Sequence, residues 1–328
     1  GRSRGCVGLL AMADPSTPIL SLIVPVYGVE DYVADCLDSI FGAPGFSENC
    51  ELVIVDDGSL DGSMAIVEQR CADVTNVTIV HQANGGLGAA RNTGLAHARG
   101  RYIWFVDSDD EICRDAICAL MRCMERFASD VIAFEFETLG GILDRAPYLA
   151  VYNRPVKPAD FLLSGRVPSG TPFYAFSRTL LEQQNLRFVP GIYHEDALFT
   201  PLAIAAAETL VRLRETCYRY RLRGGSIMAV SDPAQHARDM VRVIQGLHDA
   251  SLRQDRASPL RAALAQEIGF AFSALRHYMA RVPRRDRASI VPLGALLSGA
   301  WPFIARFRKR SLINFARLVL LRVEGALP

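Results

Sequence analysis

Residues 101–113 read RYIWFVDSDDEIC, and how this stretch is read decides the fold. Tyr102 to Val106 form a short, mostly apolar run of the kind a buried strand requires. The run ends in Asp107, Asp109, Asp110 and Glu111, four carboxylates within five positions. A helix N-terminus accounts for one or two of them, since an acid beside the helix dipole contributes about 0.3–1 kcal/mol. Two readings compete on this stretch alone. One is a capped helix that begins at Asp110 or Glu111 and carries surplus acid. The other is a hard-cation site, because Asp carboxylates suit Mg²⁺ or Mn²⁺.

The flanking sequence supplies more strands of the same type. ILSLIVPV (19–26), ELVIVD (51–56), VTIVH (77–81) and DVIAFEFE (130–137) are short apolar runs. Between them, helical spacing is read over 31–41, 61–71, 87–98 and 114–127. This alternation predicts a mainly parallel sheet flanked by helices, a Rossmann-like α/β fold in which ligands sit at the carboxyl ends of the strands. The polar punctuation falls at those ends: PVYG after the first strand, DDGS after the second and DSDD after the fourth.

Each motif also has an ordinary structural reading. Asp56-Asp57-Gly58-Ser59 can be an Asx-type turn leading into a helix from Asp61, although Asp56 continues a buried strand and needs a partner there. GGLGAARNTG (85–94) fails as a dinucleotide fingerprint, because Arg91 stands where a third glycine belongs and the motif follows the third strand. It stays readable as a glycine turn into a helix whose N-terminus and Arg91 attract an anion. His194-Glu195-Asp196 is either an acidic helix start or the source of a general base that takes a proton from a hydroxyl.

After residue 140 the pattern is less regular. FYAFSR (173–178) and TCYRYRLRGGSIM (216–228) read as strands, the latter ending in a Gly-Gly turn, and 191–207 as a turn entering an Ala-rich helix. From about residue 231 the chain reads as helical with a break near Pro283. The 328 residues are enough for a large core, and 50% hydrophobic with 22% charged is a globular composition. Eight cysteines show no CxxC pair and no zinc spacing, which implies buried thiols in a reducing, cytoplasmic compartment. The opening GRSRGCVGLLA imitates a short signal peptide; Met12 is expected to be the native start and residues 1–11 a foreign leader.

The net charge of +1 conceals an asymmetry: ten Arg/Lys and two acids from Arg281 onward give +8, leaving −7 for residues 1–280. The run at 288–304 is interrupted by two prolines and two glycines, so no membrane-spanning helix is expected. The amphipathic stretch 303–322 is either a packing or homodimer helix with a solvated basic face, or a peripheral contact with anionic lipid at the inner face of the cell membrane. No nucleic-acid partner is expected.

Taken together, SLIVPVYG (21–28), VIVDDGSLDGS (53–63), NGGLGAARNTGL (84–95), GRYIWFVDSDD (100–110) and HEDALF (194–199) resemble the family 2 glycosyltransferases of the GT-A fold. YRYRLRGGSIM (218–228) resembles a stretch of the bacterial polysaccharide branch. The resemblance covers about 19–230 and implies a catalytic domain over 12–230, followed by a helical region over 231–328 with a basic amphipathic end. It implies that Pro25, Val26, Tyr27, Asp56 and Asp57 serve the nucleotide, with Asp56 toward the base. Asp107-Ser108-Asp109 would be the DxD motif, Asp109 and Asp107 the ligands of Mn²⁺ or Mg²⁺, and Asp110 would face the donor sugar. Asp196 would be the catalytic base, with Glu195 the second candidate. Arg91 and the arginines of 219–223 would neutralise the diphosphate or position the acceptor.

The implied reaction is inverting transfer from a nucleotide-diphosphate sugar, a UDP-sugar foremost, to a hydroxyl of a glycan or lipid-linked acceptor. On this view the acid repulsion at 107–111 is answered by a cation that arrives with the substrate. Gly28, where the family more often has Asn, and His194, where Gly is frequent, depart from the pattern. The competing classes are a nucleotidyltransferase, which would carry a Gly-rich basic loop that PVYGVEDY lacks, and a non-catalytic sugar-nucleotide-binding module, which has no need of both DSDD and HED.

Overall fold

The computed structural model describes residues 17–141, 149–222 and 232–290. The leader, the Gly-Gly turn and the amphipathic stretch 303–322 lie outside the described residues. Four strands run parallel: β1 (Leu20–Val26), β2 (Cys50–Asp56), β3 (Val77–His81) and β4 (Tyr102–Phe105). They lie in the order β3-β2-β1-β4, so the sheet grows in opposite directions from β1 and opens a crevice at the carboxyl ends of β1 and β4. β1 and β4 are buried along their whole length, which is why they read as unbroken apolar runs.

Beyond β4 the sheet turns mixed. β5 (Glu111–Ile112), β6 (Val131–Leu139), β7 (Pro155–Val156), β8 (Tyr174–Ser177) and β9 (Leu210–Arg221) complete it. β8 lies antiparallel to both β4 and β6, while β9 runs parallel to β6 with register shifts near Glu135. Helices α1 (Val33–Phe41), α2 (Phe46–Asn49), α3 (Ser63–Cys71), α4 (Leu87–His97) and α5 (Ala116–Phe127) join the first strands. Two apolar clusters result. One sets Leu22, Trp104 and Phe134 with Leu37 and Leu120, and the other sets Ile23, Phe105 and Phe176 with Phe161 and Phe199. Trp104 is fully buried because its indole N–H reaches the Pro172 carbonyl at 2.9 Å.

The acidic stretch does not start a helix. Glu111 and Ile112 pair antiparallel with Arg219 and Tyr218, and α5 begins only at Ala116. Likewise α3 begins at Ser63, two residues after Asp61; the Asp61 carboxylate accepts from the Ser63 N–H and hydroxyl and from the Glu30 N–H. Helices α6 (Pro158–Leu163), α7 (Arg178–Gln183) and α8 (Glu195–Ala206) follow the core strands. The C-terminal stretch is a pair of long helices, α9 (Pro233–Leu252) and α10 (Pro259–Arg281), each started by a side-chain cap, Asp232 and Ser258. The break between them at 253–258 was not readable from periodicity. The pair packs on α8 through a third cluster that includes Leu198, Met240, Leu247 and Phe272. No helix of the described residues is long and apolar enough to cross a membrane.

Candidate active site

The carboxyl ends of β1, β2 and β4 converge as their punctuation implies. Pro25 and Val26 are buried at the end of β1, and Tyr27 beyond them is 51% exposed. Gly28 follows at φ +65°, a left-handed conformation that Gly adopts freely and Asn adopts more readily than most residues. The departure from Asn at this position therefore keeps the backbone geometry.

At the end of β2, Asp56 accepts from the Ser59 N–H at 2.8 Å and meets His81 Nδ1 at 3.0 Å. Burial works to raise its pKa, but His81 and Ser59 outweigh it and hold the carboxyl below the ordinary range. Asp57 turns the other way. It is 3% exposed and accepts from Gln82 Nε2 at 2.7 Å and from the N–H groups of Gly85 and Gly86 at 2.8 and 2.9 Å. Its oxygens are thus used to tie the glycine loop of 84–95 to β2.

The acids after β4 are relieved from within the chain. Asp107 Oδ1 accepts from Arg91 at 2.7 Å. Glu111 pairs with Arg221 at 2.7 Å and with Arg219 at 3.6 Å. Asp110, 1% exposed, accepts from the Tyr218 hydroxyl and the Arg221 N–H, both at 2.7 Å. Burial, then Asp107 and Asp109, push its pKa up to about 8, against the Arg221 N–H and the Tyr218 hydroxyl, which favour the charged form. Within the chain the repulsion is met in part by Arg91, Arg219, Arg221 and the Tyr218 hydroxyl. Of the arginines of 219–223, Arg219 and Arg221 pair with this cluster and with Glu137 and Asp35, and Arg223 lies outside the described residues.

Arg91 joins the two acid motifs. Only 2% exposed, it donates from one guanidinium nitrogen to Asp107 and from another to Glu195 Oε1, each at 2.7 Å. It lies over the Phe188 ring, 5.2 Å from the centroid. A guanidinium this deep requires both carboxylates, and a carboxylate as buried as Glu195 requires the guanidinium. Asp196, beside this pair at the start of α8, accepts from the Ala197 N–H at 2.7 Å. Burial and then Glu195 raise its pKa to about 7, which suits a general base at neutral pH. Burial also raises Glu195, against the pull of Arg91.

Among the described residues no group of three or more His, Cys, Asp or Glu side chains is placed to hold a metal ion. Arg221 is one of the arginines expected near the site, whereas the partnerships of Tyr218 with Asp110 and of His81 with Asp56 were not anticipated in sequence. The only sign of Tyr218 was the YRYR repeat of 218–221.

Residues 21–185, half of the chain, match the family described as "Glycosyl transferase family 2". The chain belongs to glycosyl transferase family 2. Among curated members it is 32% identical over 223 residues to the uncharacterized glycosyltransferase EpsJ of Bacillus subtilis, across 65% of this chain and 64% of EpsJ. It is 30% identical over 252 residues to the poly(ribitol-phosphate) beta-glucosyltransferase of Bacillus spizizenii, across 74% of this chain and 39% of that enzyme. The chain thus spans less than two thirds of each of these two relatives. Its fold is that of the crystal structure of S. aureus TarS 1-349 in complex with UDP-GlcNAc: TM-score 0.65, 22% identity, 93% of this chain and 90% of that one. That likeness establishes the GT-A arrangement with C-terminal helices.

Proposed function

We propose that this family 2 member is an inverting glycosyltransferase that moves a sugar from a nucleoside-diphosphate donor to a hydroxyl of a glycan or lipid-linked acceptor in cell-surface polymer synthesis. The observation that carries this reading is the Arg91 bridge, which fixes the DSD end of β4 and the HED start of α8 in one ion-paired assembly. Tyr27 and Asp56 are suited to hold the nucleoside, with the Asp56 carboxylate accepting from an N–H of the base. UDP is the donor nucleotide favoured by the fold likeness. Asp107 and Asp109, separated by Ser108 after a buried strand, are a two-carboxylate donor set that fits Mg²⁺ or Mn²⁺ with phosphate oxygens completing the shell. Such an ion would neutralise charge on the departing diphosphate.

Asp196 takes the proton of the acceptor hydroxyl as that oxygen attacks the anomeric carbon, and the bond to the diphosphate breaks on the opposite face. Displacement from the far side inverts the centre, giving a β-linked product from an α-linked donor. On this reading a peripheral contact of the basic stretch 303–322 with anionic lipid would bring the protein to a lipid-linked acceptor, a packing or homodimer role of that stretch being the alternative.

Two substitutions test the division of labour. Asp196→Asn should lower transfer by about 10²–10⁴-fold and leave UDP affinity nearly unchanged. Asp109→Ala should weaken UDP binding in Mn²⁺ and have little effect in EDTA. Equal loss of UDP affinity in both variants, or an α-linked product, would sink the mechanism. Tight UDP-sugar binding with neither transfer nor UDP release in the unaltered protein would favour the non-catalytic binding module.

A further inference from the structure

The segment that delivers Asp196 is anchored outside the nucleotide-binding sheet. Ile192 and Leu198, on either side of the HED motif, are buried in the cluster built by α9 and α10. The Tyr193 N–H donates to Asp239 of α9 at 3.1 Å, and Gln235 Nε2 holds both oxygens of the same carboxylate at 3.0 and 2.9 Å. His194 itself sits at φ +64°, strained for a residue with a side chain. Such a conformation persists only when its surroundings hold it.

What holds it is a pair of imidazoles on a tyrosine. His194 Nε2 lies 2.9 Å from Nδ1 of His236 on α9, so one ring donates and the other accepts. The His236 ring stacks on Tyr278 of α10 at 4.7 Å and 12°, and Tyr193 lies against it at 4.6 Å and 32°. His194 also leans on Tyr278, at 5.2 Å. His236 and Tyr278 are 2% and 6% exposed, so the cluster is an internal joint and not a surface for ligand. Burial pushes the His194 imidazole down to about 4, with His236 adding to the fall and Asp239 opposing it. Burial lowers His236 as well, against Asp239 and Asp232. An N–H···N bond between the rings needs at least one of them neutral, and burial moves both in that direction. The α8–α9 contact is close: a Cβ at Gly246 of α9 would lie 2.7 Å from Leu198 Cδ1.

We propose that His194 and His236, clamped against Tyr278, form a positioning device by which the C-terminal helix pair sets the Asp196 carboxylate for proton transfer. This deepens the reading of Asp196 as the base and rests on it. The C-terminal helices then belong to the catalytic machinery and are not an inert appendage. A glycine at position 194 would adopt the same backbone angle without strain but could not make this bond. His194 is thus a side chain whose use justifies its strained conformation.

The test uses the full chain carrying His236→Leu, which removes the bond, and His236→Asn, whose amide keeps a hydrogen-bonding nitrogen near the Nδ1 position. Release of UDP from UDP-GlcNAc in Mn²⁺, UDP affinity by calorimetry and backbone hydrogen exchange are followed in parallel. In His236→Leu, kcat should fall about tenfold or more with UDP affinity within about twofold. Exchange should quicken over 191–197 and stay unchanged in β1, β2 and β4. His236→Asn should restore both most of the rate and the protection. The inference is overturned if 191–197 keeps its protection in His236→Leu, or if a folded His236→Leu keeps its rate. Equal losses in the Leu and Asn variants would overturn it too. The exchange measurement decides the point even when UDP-GlcNAc is not turned over. If Asp196→Asn retains activity, the base assignment fails; if only Asp196→Asn loses activity, the positioning inference alone fails.

Discussion

The two acid motifs of this site are held in opposite ways. The acids at 107–111 are fixed by the sheet itself: Tyr218 and Arg221 of β9 reach Asp110, and β5 pairs with β9 beside them. The acids at 195–196 are fixed from outside the sheet, by a loop whose partners lie on α9 and α10. The first arrangement is tied into the sheet and, on the proposed reading, serves the diphosphate that every donor shares. The second depends on elements that can vary without disturbing the nucleotide side, which is where differences in acceptor would be accommodated. Arg91 ion-pairs with both.

Removing that bridge should have the largest effect. Arg91→Met keeps the volume but leaves Glu195 buried without a counter-charge and Asp107 without its donor. Breaking a buried pair from one side costs about 3–5 kcal/mol, and denaturant unfolding at pH 7.5 should show it. Because Glu195 can escape by taking a proton, the loss should shrink as pH is lowered toward 5. A loss below about 1 kcal/mol at pH 7.5 would mean that the two motifs are not energetically joined, and the comparison would collapse.

Much of the sheet side was legible in sequence, and most of the other side was not. The strand ends PVYG, DDGS and DSDD announced themselves because a parallel α/β sheet buries its strands and exposes its carboxyl ends, so polarity marks the edge. What periodicity cannot carry is direction: FYAFS read as a strand, yet nothing in it says that β8 runs antiparallel to β4. Nor can it carry partnership across long separations. Asp110 and Tyr218 lie 108 positions apart, and Arg91 and Glu195 lie 104. Asp57 shows the same limit: its neighbours read as a turn and the family resemblance implied a nucleotide contact, but neither says that its oxygens accept from the glycine loop. His194 was visible only as a departure from the family pattern, and its meaning depended on α9.

The pH dependence of the two sides should separate them. As the proposed base, Asp196 would work only when ionised, and its pKa is raised to about 7. The base form is therefore lost as pH falls through 7, and kcat should drop about tenfold per unit below that point. The limb belongs to the Glu195–Asp196–Arg91 group as a whole. UDP affinity should not follow it. A kcat that stays flat from pH 5 to 8 would remove Asp196 as the base. An affinity that falls in step with kcat would show that the nucleotide side senses the same proton.

The smallest effect sharpens the comparison from the sheet side. In Tyr218→Phe the Asp110 carboxyl loses one of its two chain donors, and the Asp107 N–H loses the hydroxyl it reaches at 3.1 Å. The ring still packs against Trp104 and Phe173, so the core survives. An unsatisfied buried group of this kind costs about 1–3 kcal/mol, less than the Arg91 bridge. Its functional mark should be a few-fold rise in donor KM with kcat nearly unchanged, because the backbone of the DSD turn loosens while the base stays where α9 and α10 hold it. If kcat fell instead and KM held, the hydroxyl would be tuning the acceptor side through Arg91, and the two motifs would have to be treated as one unit.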